Sequence, residues 1–277
     1  MEQMNEQLTV LGTGFAVATK CYTTCFTVSD GDEHFMIDTG GGSGVLTNLE
    51  KLGISFNKVH HIFLSHCHTD HVMGAVWMLR MIGQSMQKGV YEGNLHLYCH
   101  KDIAEGLLQM CKFMLSPKLL PLFGERIIFH CLADGMTFEI LGRKTIFFDT
   151  RSKKATQYGV KVELRNGKTI TYLGDEPYNP ECEAYAAGVD YLMHEALCLE
   201  AEEAVYHPRR IAHSTVKDAA EWAVALQVPN LILHHTEDKT LATRKERYTA
   251  EAKEYYTGTV YMPDDLDIIM QNQIRNL

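Results

Sequence analysis

The segment HCHTDH (66–71) places three histidines and an aspartate within six positions of the chain. Imidazole nitrogens and carboxylate oxygens are ligands by which proteins hold zinc and similar ions. His66 and His68 are two residues apart, so in an extended segment both side chains point to the same side and can bind one ion. Asp70 and His71 follow a bend and point elsewhere, which suits a second ion. The alternative, that the segment only caps the following helix, accounts for Asp70 alone.

Further acidic residues and histidines occur where predicted strands end. Asp175 ends TITYLGD, His194 and Glu195 end YLMHE, and His235 ends LILHH. Sheet ends on one side of a sandwich can converge, so these side chains and the HCHTDH segment can share a pocket. Two ions about 3.5–4 Å apart activate water and polarise a phosphoryl or carbonyl group, and a carboxylate beside that water accepts its proton. The residues therefore predict a binuclear hydrolytic site.

Two strand-rich blocks, each followed by helices, must position these residues. The first block has strand patterns in QLTVLG, YTTCFTV, HFMID and KVHHIFLS, and helical patterns in GVLTNLEKLG, in HVMGAVWMLRMI and over residues 101–115. The second has strand patterns in RIIFHC, MTFEI, KTIFFDT, YGVKVE, KTITYLGD, YLMHE, NLILHH and TVYM, with helices over 214–227 and about 243–256. Between two of these strands, RNGK predicts a two-residue hairpin turn, because Asn-Gly tolerates positive φ. The order predicts two packed sheets with helices outside, and not a doubly wound parallel sheet.

Composition narrows the class of protein. The chain has 277 residues, of which 45% are hydrophobic and 22% charged, enough for a substantial core. No apolar run approaches the length of a membrane span, and the start MEQMNEQL lacks the pattern of a signal peptide. The eight cysteines are scattered, which favours buried thiols over a disulfide framework. We therefore expect a cytoplasmic protein without a membrane partner.

A net charge of −9 argues against broad nonspecific binding to nucleic acid. The stretch 143–168 is locally basic, with eight lysines and arginines among its residues. We interpret it as the solvated surface of a hairpin, with a local anion-binding patch as the alternative.

The motif His-x-His-x-Asp-His at positions 66–71 resembles the signature of the metallo-β-lactamase superfamily, and within it the chain most resembles ribonuclease Z. The resemblance runs through nearly the whole length. The similar segments are LTVLGTGFAV, FMIDTGGG, YLGDEP, LMHEA, AHST and LILHHTED. The resemblance implies one domain over 1–277 with an α/β fold, the four-layer αββα metallo-β-lactamase sandwich. It also implies two zinc ions, with manganese or iron as alternatives.

The resemblance also implies roles for single residues. Asp175 would bridge the ions, and His235 would be the last ligand, with His234 as its neighbour in the strand. Asp70 would both bind metal and accept the proton of the attacking water.

A second pair of residues would act on the leaving group. By the resemblance, His213 would lie near it, steadied by Glu195. The spacing alone does not decide whether His213 is functional, since it could simply precede a helix capped by Ser214.

Two departures from ribonuclease Z bear on the function. That family has a further histidine ligand before the YG of the hairpin, but FFDTRSKKATQYGV contains no histidine. Arg151 or Ser152 occupies the neighbourhood, and an arginine stays protonated and cannot bind a metal. One ion would thus keep His66, His68 and the shared Asp175, and bind more weakly than the other. Arg151 would hold an anionic group of the substrate, unless it is a surface arginine outside the pocket.

The second departure concerns tRNA. Bacterial members of that family commonly carry a long glycine- and proline-rich arm that grips tRNA, and the stretch from Arg151 to Asp175 leaves no room for one. The leading hypothesis is therefore a phosphodiesterase acting on a small or modest-sized anionic substrate. Its alternatives are tRNA 3′-end processing, a lactonase or sulfatase, and a non-catalytic metal-binding protein. The sequence leaves a homodimer open.

Overall fold

The computed structural model describes residues 6–270 and 273–275, so most of the MEQMNEQL start lies outside the described residues. The chain divides into two compact units that are interleaved in sequence. The first unit is built from residues 6–12, Thr24–Leu132 and the described residues from Leu266 onward. The second unit is built from Thr13–Thr23 and Ala133–Asp265. The expectation of one domain over 1–277 stays a prediction.

The strands within the described residues follow in chain order. They are β1 (Glu6–Gly12), β2 (Cys25–Asp30), β3 (Glu33–Ile37), β4 (Val59–Phe63), β5 (Leu95–Cys99), β6 (Ile127–Cys131), β7 (Met136–Ile140), β8 (Arg143–Asp149), β9 (Tyr158–Glu163), β10 (Thr169–Tyr172), β11 (Tyr191–Glu195), β12 (Asn230–His234), β13 (Thr259–Tyr261), β14 (Ile268–Met270) and β15 (Gln273–Arg275).

The helices of the same residues are mostly short. The α-helices are α1 (Gly44–Lys51), α2 (Thr69–Gln87), α3 (Lys101–Met114), α4 (Glu183–Ala186), α5 (Glu203–Tyr206), α6 (Val216–Ala225) and α7 (Leu241–Tyr255). Single 3-10 turns cover Phe56–Lys58, Pro117–Leu122, Pro180–Cys182, Glu200–Glu202 and Pro208–Ile211. No helix of the described part of the chain combines the length and apolarity needed to span a bilayer.

The first unit contains a mixed sheet in the order β15-β14-β1-β2-β3-β4-β5-β6. Strands β1, β2 and β3 pair antiparallel, whereas β3 to β6 pair parallel, with helices in the crossovers. Helix α2 packs very close to the loop after β3. The Gly74 N–H donates to the Gly40 carbonyl at 2.8 Å, and a Cβ at Gly74 would lie 1.9 Å from the Thr39 carbonyl oxygen. A glycine at position 74 therefore allows the start of α2 to approach this loop.

The second unit contains a mixed sheet in the order β13-β12-β11-β10-β9-β8-β7. Strands β7 to β10 pair antiparallel, and β10 to β13 pair parallel. Small residues of α6, namely Ala219, Ala220 and Ala223, are fully buried in the core of this unit. The parallel strands β10, β11 and β12 end at the same edge, so residues that directly follow them lie close together.

The predicted elements occur with shifts of one or two residues at most ends, but α4, α5, β5, β14 and β15 were not predicted. RIIFHC, expected in the second block, forms β6 at the edge of the first sheet. The hairpin between β9 and β10 exists, although its turn is wider than the expected two residues. Leu164 N–H donates to the Lys168 carbonyl at 2.7 Å, and Gly167 has a φ of +81°. The turn therefore needs one positive φ, supplied by glycine, and Asn166 instead accepts from the Lys168 N–H at 2.9 Å. The mixed sheets confirm that the protein is not doubly wound, and none of the eight cysteines forms a disulfide.

Candidate metal centre

In the first unit, the HCHTDH segment forms the turn from β4 into α2. His66 Nε2 lies 2.9 Å from His68 Nδ1, and His71 Nε2 lies 3.2 Å from Asp70 Oδ2. Two ligands each about 2.1 Å from a tetrahedral ion lie about 3.4 Å apart, so both pairs have separations that suit a shared ion. His68 occupies the N-cap position of α2, but its side chain makes no capping hydrogen bond. The donor sets therefore fit metal binding better than helix capping.

Asp38, which directly follows β3, orients this segment by accepting hydrogen bonds from it. Its carboxylate accepts from the Ser65 N–H at 2.8 Å, from Ser65 Oγ at 2.7 Å and from His71 Nδ1 at 2.8 Å. Ser65 Oγ in turn lies 3.0 Å from His66 Nδ1. Because the Nδ1 atoms of both histidines are engaged, their Nε2 atoms are the ones that face the cluster. Outer hydrogen bonds of this kind orient histidine ligands in metal sites.

The electrostatic environment of His71 also suits a cation. Burial by itself lowers the pKa of this imidazole, but the carboxylates of Asp38 and Asp70 outweigh it and raise the pKa well above its usual value. The same negative charge that favours a proton on His71 favours a metal ion beside it.

In the second unit, Asp175 and His235 approach each other at the shared edge of the parallel strands. Asp175 follows β10 after Gly174, whose φ is +85°, and His235 follows β12 with its own φ at +54°. His235 Nε2 lies 3.6 Å from Asp175 Oδ2, again a separation that suits a shared ion. His234, one residue earlier, is buried and packs against the Tyr172 ring at 5.2 Å. The left-handed backbone at position 235 thus separates the two histidines.

His213 joins Asp175 and His235, and one ligand atom of each lies within 4.8 Å of the others. The His213 ring stacks on the His235 ring with centroids 5.0 Å apart, and its Nδ1 faces Glu195 Oε2 at 3.6 Å. Burial lowers the pKa of His213, but the Glu195 carboxylate, with a smaller contribution from Asp175, raises it above its usual value. Glu195 also accepts from the Ser214 N–H, which fixes the carboxylate beside the histidine.

The segment before His213 is braced by a partly exposed network of ion pairs and hydrogen bonds. Arg209 donates to Glu200 at 2.7 Å and to Asp218 at 3.0 Å, and Asp218 closes a capping box with Thr215 at the start of α6. His213 N–H donates to the Pro208 carbonyl at 2.8 Å. His213 is therefore held in place, and Thr215 rather than Ser214 caps the helix. The alternative in which His213 merely precedes a helix capped by Ser214 does not match α6, which begins at Val216 and is capped by Thr215.

In the stretch that lacks the further histidine ligand of ribonuclease Z, a different side chain contacts Asp175. Gln157, buried directly before the YG of the hairpin, donates to Asp175 Oδ1, and its Oε1 accepts from Thr150 Oγ1 at 3.3 Å. Arg151 lies elsewhere, with its guanidinium 2.6 Å from Asp134 and 3.0 Å from Asp149. These carboxylates occupy the guanidinium and favour the alternative of a surface arginine. Its predicted role in substrate binding stays a prediction.

Sequence reasoning did not assign roles to Asp38 or Gln157. Asp38 directly follows β3, just as Asp175, Glu195 and His235 stand at or after strand ends, so the same rule applied to the FMIDTGGG segment would have marked it. Nothing in the spacing of Gln157 indicated a contact with Asp175, because that contact depends on the register of β9 against β10.

Comparison with known proteins identifies the family to which this chain belongs. The chain matches the family described as Anti-Pycsar protein Apyc1 over residues 6–253. The chain belongs to the Apyc1 family. This Apyc1-family chain is also similar to ribonuclease Z of Phocaeicola vulgatus, at 24% identity over 95% of this chain and 97% of the relative.

Solved structures show the fold of the Apyc1-family chain. The metallo-β-lactamase fold protein YhfI from Bacillus subtilis superimposes with a TM-score of 0.77 at 18% identity, covering 96% of this chain and 99% of that one. A diphosphatase from the PhnP family superimposes with a TM-score of 0.74 at 18% identity, covering 96% and 97%. The predicted α/β metallo-β-lactamase fold and the resemblance to ribonuclease Z are thereby confirmed. Together with the ligand clusters, the similarity to ribonuclease Z over nearly the whole chain confirms the prediction of a metal-dependent hydrolase.

Proposed function

We propose that this protein is a metal-dependent phosphodiesterase that hydrolyses a small or modest-sized anionic phosphodiester. The observation that carries the proposal is the convergence of Asp175, His213 and His235 in the second unit. Asp175 and His235 have the chemistry of zinc ligands, and His213, backed by Glu195, places a proton donor beside them. A proton donor next to metal ligands suits the expulsion of a poor leaving group from phosphorus.

We propose zinc as the ion, in two sites, with manganese or iron as alternatives. The six proposed ligands are His66, His68, Asp70, His71, Asp175 and His235. When bound, the ions would lower the pKa of water and polarise the phosphoryl group. The family resemblance predicts that ligands from both units share these ions.

The chain's own residues would move the protons. Asp70 would accept the proton of the attacking water as the bond from water oxygen to phosphorus forms. His213 would donate a proton to the leaving oxygen as its bond to phosphorus breaks, and Glu195 would stabilise the charged imidazole that precedes this transfer. Each of these roles is a catalytic proposal with a distinct expected defect.

Processing of tRNA 3′ ends is the second candidate, because the ribonuclease Z of Phocaeicola vulgatus aligns with nearly the whole chain. Against it, the residues from Tyr158 to Tyr172 form the β9–β10 hairpin, with no long glycine- and proline-rich arm. The negative net charge also opposes a large RNA partner. A lactonase or sulfatase would use the same ligands and stays as a third alternative.

We also propose a cytoplasmic location, supported by eight cysteines without a disulfide. A homodimer stays a prediction.

A substrate panel tests the proposed function. Purified protein loaded with zinc, manganese or iron would be assayed on bis(p-nitrophenyl) phosphate, small cyclic and linear nucleotide phosphodiesters, precursor tRNA, an aryl sulfate and a lactone. We expect turnover of the small phosphodiesters and loss of turnover in chelator. Cleavage confined to precursor tRNA would establish the second candidate. Binding of metal without turnover of any substrate would favour a non-catalytic protein.

A further inference from the structure

A lysine of the second unit points toward the proposed leaving-group histidine. Lys154 lies in the loop between β8 and β9, and its Nζ is 3.5 Å from His213 Nε2. Lys154 Nζ also lies 4.0 Å from Glu176 Oε1, and the Lys154 side chain is 24% exposed. The ammonium group is thus placed beside the Asp175, His213 and His235 cluster.

The loop fixes Lys154 in this position. Ser152 Oγ accepts from the N–H groups of Lys154 and Ala155, at 3.1 and 3.3 Å, and donates to Glu176 Oε1 at 2.6 Å. Glu176 directly follows Asp175, so the loop is tied to the chain next to a proposed metal ligand. These hydrogen bonds therefore hold Lys154 in a fixed position relative to Asp175.

The two nitrogen atoms, Lys154 Nζ and His213 Nε2, are suited to binding an anion. The two atoms are within hydrogen-bond distance of each other, so an anion bound at this point can accept from both nitrogens. Glu176 competes weakly for the ammonium group, because it lies 4.0 Å away and already accepts from Ser152. His213 Nδ1 faces Glu195, which leaves Nε2, the atom nearest Lys154, for a substrate. Two nitrogen donors therefore converge where a phosphoryl group could bind both.

We propose that Lys154 binds a non-bridging oxygen of the substrate's phosphoryl group, beside the oxygen that His213 protonates. This inference rests on the proposed function, since it names the residue that recognises the charge of a phosphodiester at that site. Lys154 would then supply a positive charge beside the cluster, whereas the guanidinium of Arg151 pairs with Asp134 and Asp149. Its role is to position substrate, and no bond is made or broken at the ammonium group.

Binding of inorganic phosphate tests the assignment without turnover. Zinc-loaded wild type, Lys154→Gln, Lys154→Arg and the neighbouring exposed control Lys153→Gln would be compared by titration calorimetry, with zinc content measured in each. A charge-assisted hydrogen bond contributes enough that Lys154→Gln should weaken phosphate binding about 10- to 100-fold. Lys154→Arg should restore most of the affinity, and Lys153→Gln should bind like wild type, all at unchanged zinc content.

Kinetics on bis(p-nitrophenyl) phosphate separate this inference from the proposed function. We expect Lys154→Gln to raise KM by a similar factor and to lower kcat less. If phosphate binding depends on Lys154 but no phosphodiester is hydrolysed, the phosphodiesterase proposal fails and the phosphate contact stands. If Lys154→Gln binds phosphate as Lys153→Gln does, or if wild type binds none, Lys154 is not the phosphate-binding residue.

Discussion

At the scale of single residues, the proposed site combines metal ligands with groups that would move protons. Asp70 is proposed to do both, whereas His213 contacts Glu195 and Lys154 and is proposed only to donate a proton. Substitutions at the two positions should therefore give different defects.

Asp70→Asn should abolish hydrolysis to a greater extent than its loss of metal explains, because an amide cannot accept the proton of the attacking water. His213→Ala should leave metal content unchanged and slow turnover about 10²- to 10⁴-fold on a substrate with a poor leaving group. The loss should be smaller for p-nitrophenolate, which leaves without a proton. Rates and metal content measured together check both variants. Unchanged turnover of the poor leaving group in His213→Ala would make His213 structural.

Asp38 should control metal affinity without touching the metal. Asp38→Asn removes the charged acceptor that holds Ser65 and His71, and loss of such a partner costs roughly 10- to 100-fold in metal affinity. Asp32→Asn is the matched control, since Asp32 is 80% exposed and pairs with the surface residue Lys58 at 3.4 Å. Competition with a chelator measures both affinities. Equal affinities in the two variants would contradict the orienting role of Asp38.

At the scale of elements, the approach of α2 to the loop after β3 fixes where the HCHTDH segment stands. Thr39 Oγ1 and N–H both donate to the His71 carbonyl, at 2.7 and 2.9 Å, which ties the first turn of α2 to that loop. The absence of a side chain at Gly74 permits this contact.

Gly74→Ala should destabilise the protein by about 1–3 kcal/mol and lower metal affinity, because the new Cβ would overlap the Thr39 carbonyl. Gly106→Ala in α3 is the control, since a Cβ there meets nothing within 4 Å. It should stabilise by up to about 1 kcal/mol through helix propensity. Chemical unfolding measures both changes, and a Gly74→Ala variant as stable as wild type would refute the close contact.

A row of histidines lies across β4, β5 and β6, and we expect it to make the first sheet sensitive to acid. His61 and His96 stack at 5.3 Å, and His96 Nδ1 lies 2.9 Å from His130 Nε2. Burial, and then the charge of the neighbouring histidines, lowers the pKa of His61 from 6.5 to about 4. The folded state therefore keeps His61 neutral where the unfolded chain would bind a proton.

The stability that His61 contributes is present above pH 6.5 and is lost as the pH falls toward about 4. Between pH 7.5 and 5 the loss from His61 alone should be on the order of 2 kcal/mol. Urea unfolding of wild type and His61→Asn at the two pH values measures the difference. His61→Asn should lose less stability over this interval, and parallel losses in the two proteins would contradict the shifted pKa.

At the scale of the whole molecule, metal content should reflect unequal ligand sets. One proposed ion has Asp70, His71, Asp175 and His235, and the other has His66 and His68 with the shared Asp175. We expect metal analysis during chelator titration to show one tightly bound ion and one weaker ion. Two ions of equal affinity would mean that a further residue completes the weaker site.

Arg151→His tests whether the missing family ligand can be restored at that position. If the position reaches the site, the weaker ion should bind more tightly and the substrate preference should change. The carboxylates around Arg151 oppose such a movement in the parent protein. Unchanged metal content and substrate profile would show that the arginine belongs to the surface.

The sequence by itself determined the elements that are close along the chain. The spacing of His66, His68, Asp70 and His71 depends on a few bonds, so one turn between a strand and a helix is enough to bring their ligand atoms together. The alternation of apolar residues likewise determined most strands and helices, because burial of one face requires that period.

Only the tertiary structure decided which distant polar residues meet. The parallel pairing of β10, β11 and β12 brings Asp175, Glu195 and His235 to one edge, and the left-handed backbone at His235 distinguishes it from His234. The loop between β8 and β9 turns Lys154 and Gln157 toward that edge, whereas Arg151 pairs with Asp134 and Asp149. These outcomes depend on strand register and on competing carboxylates, which are properties of the folded chain and not of residue type or spacing.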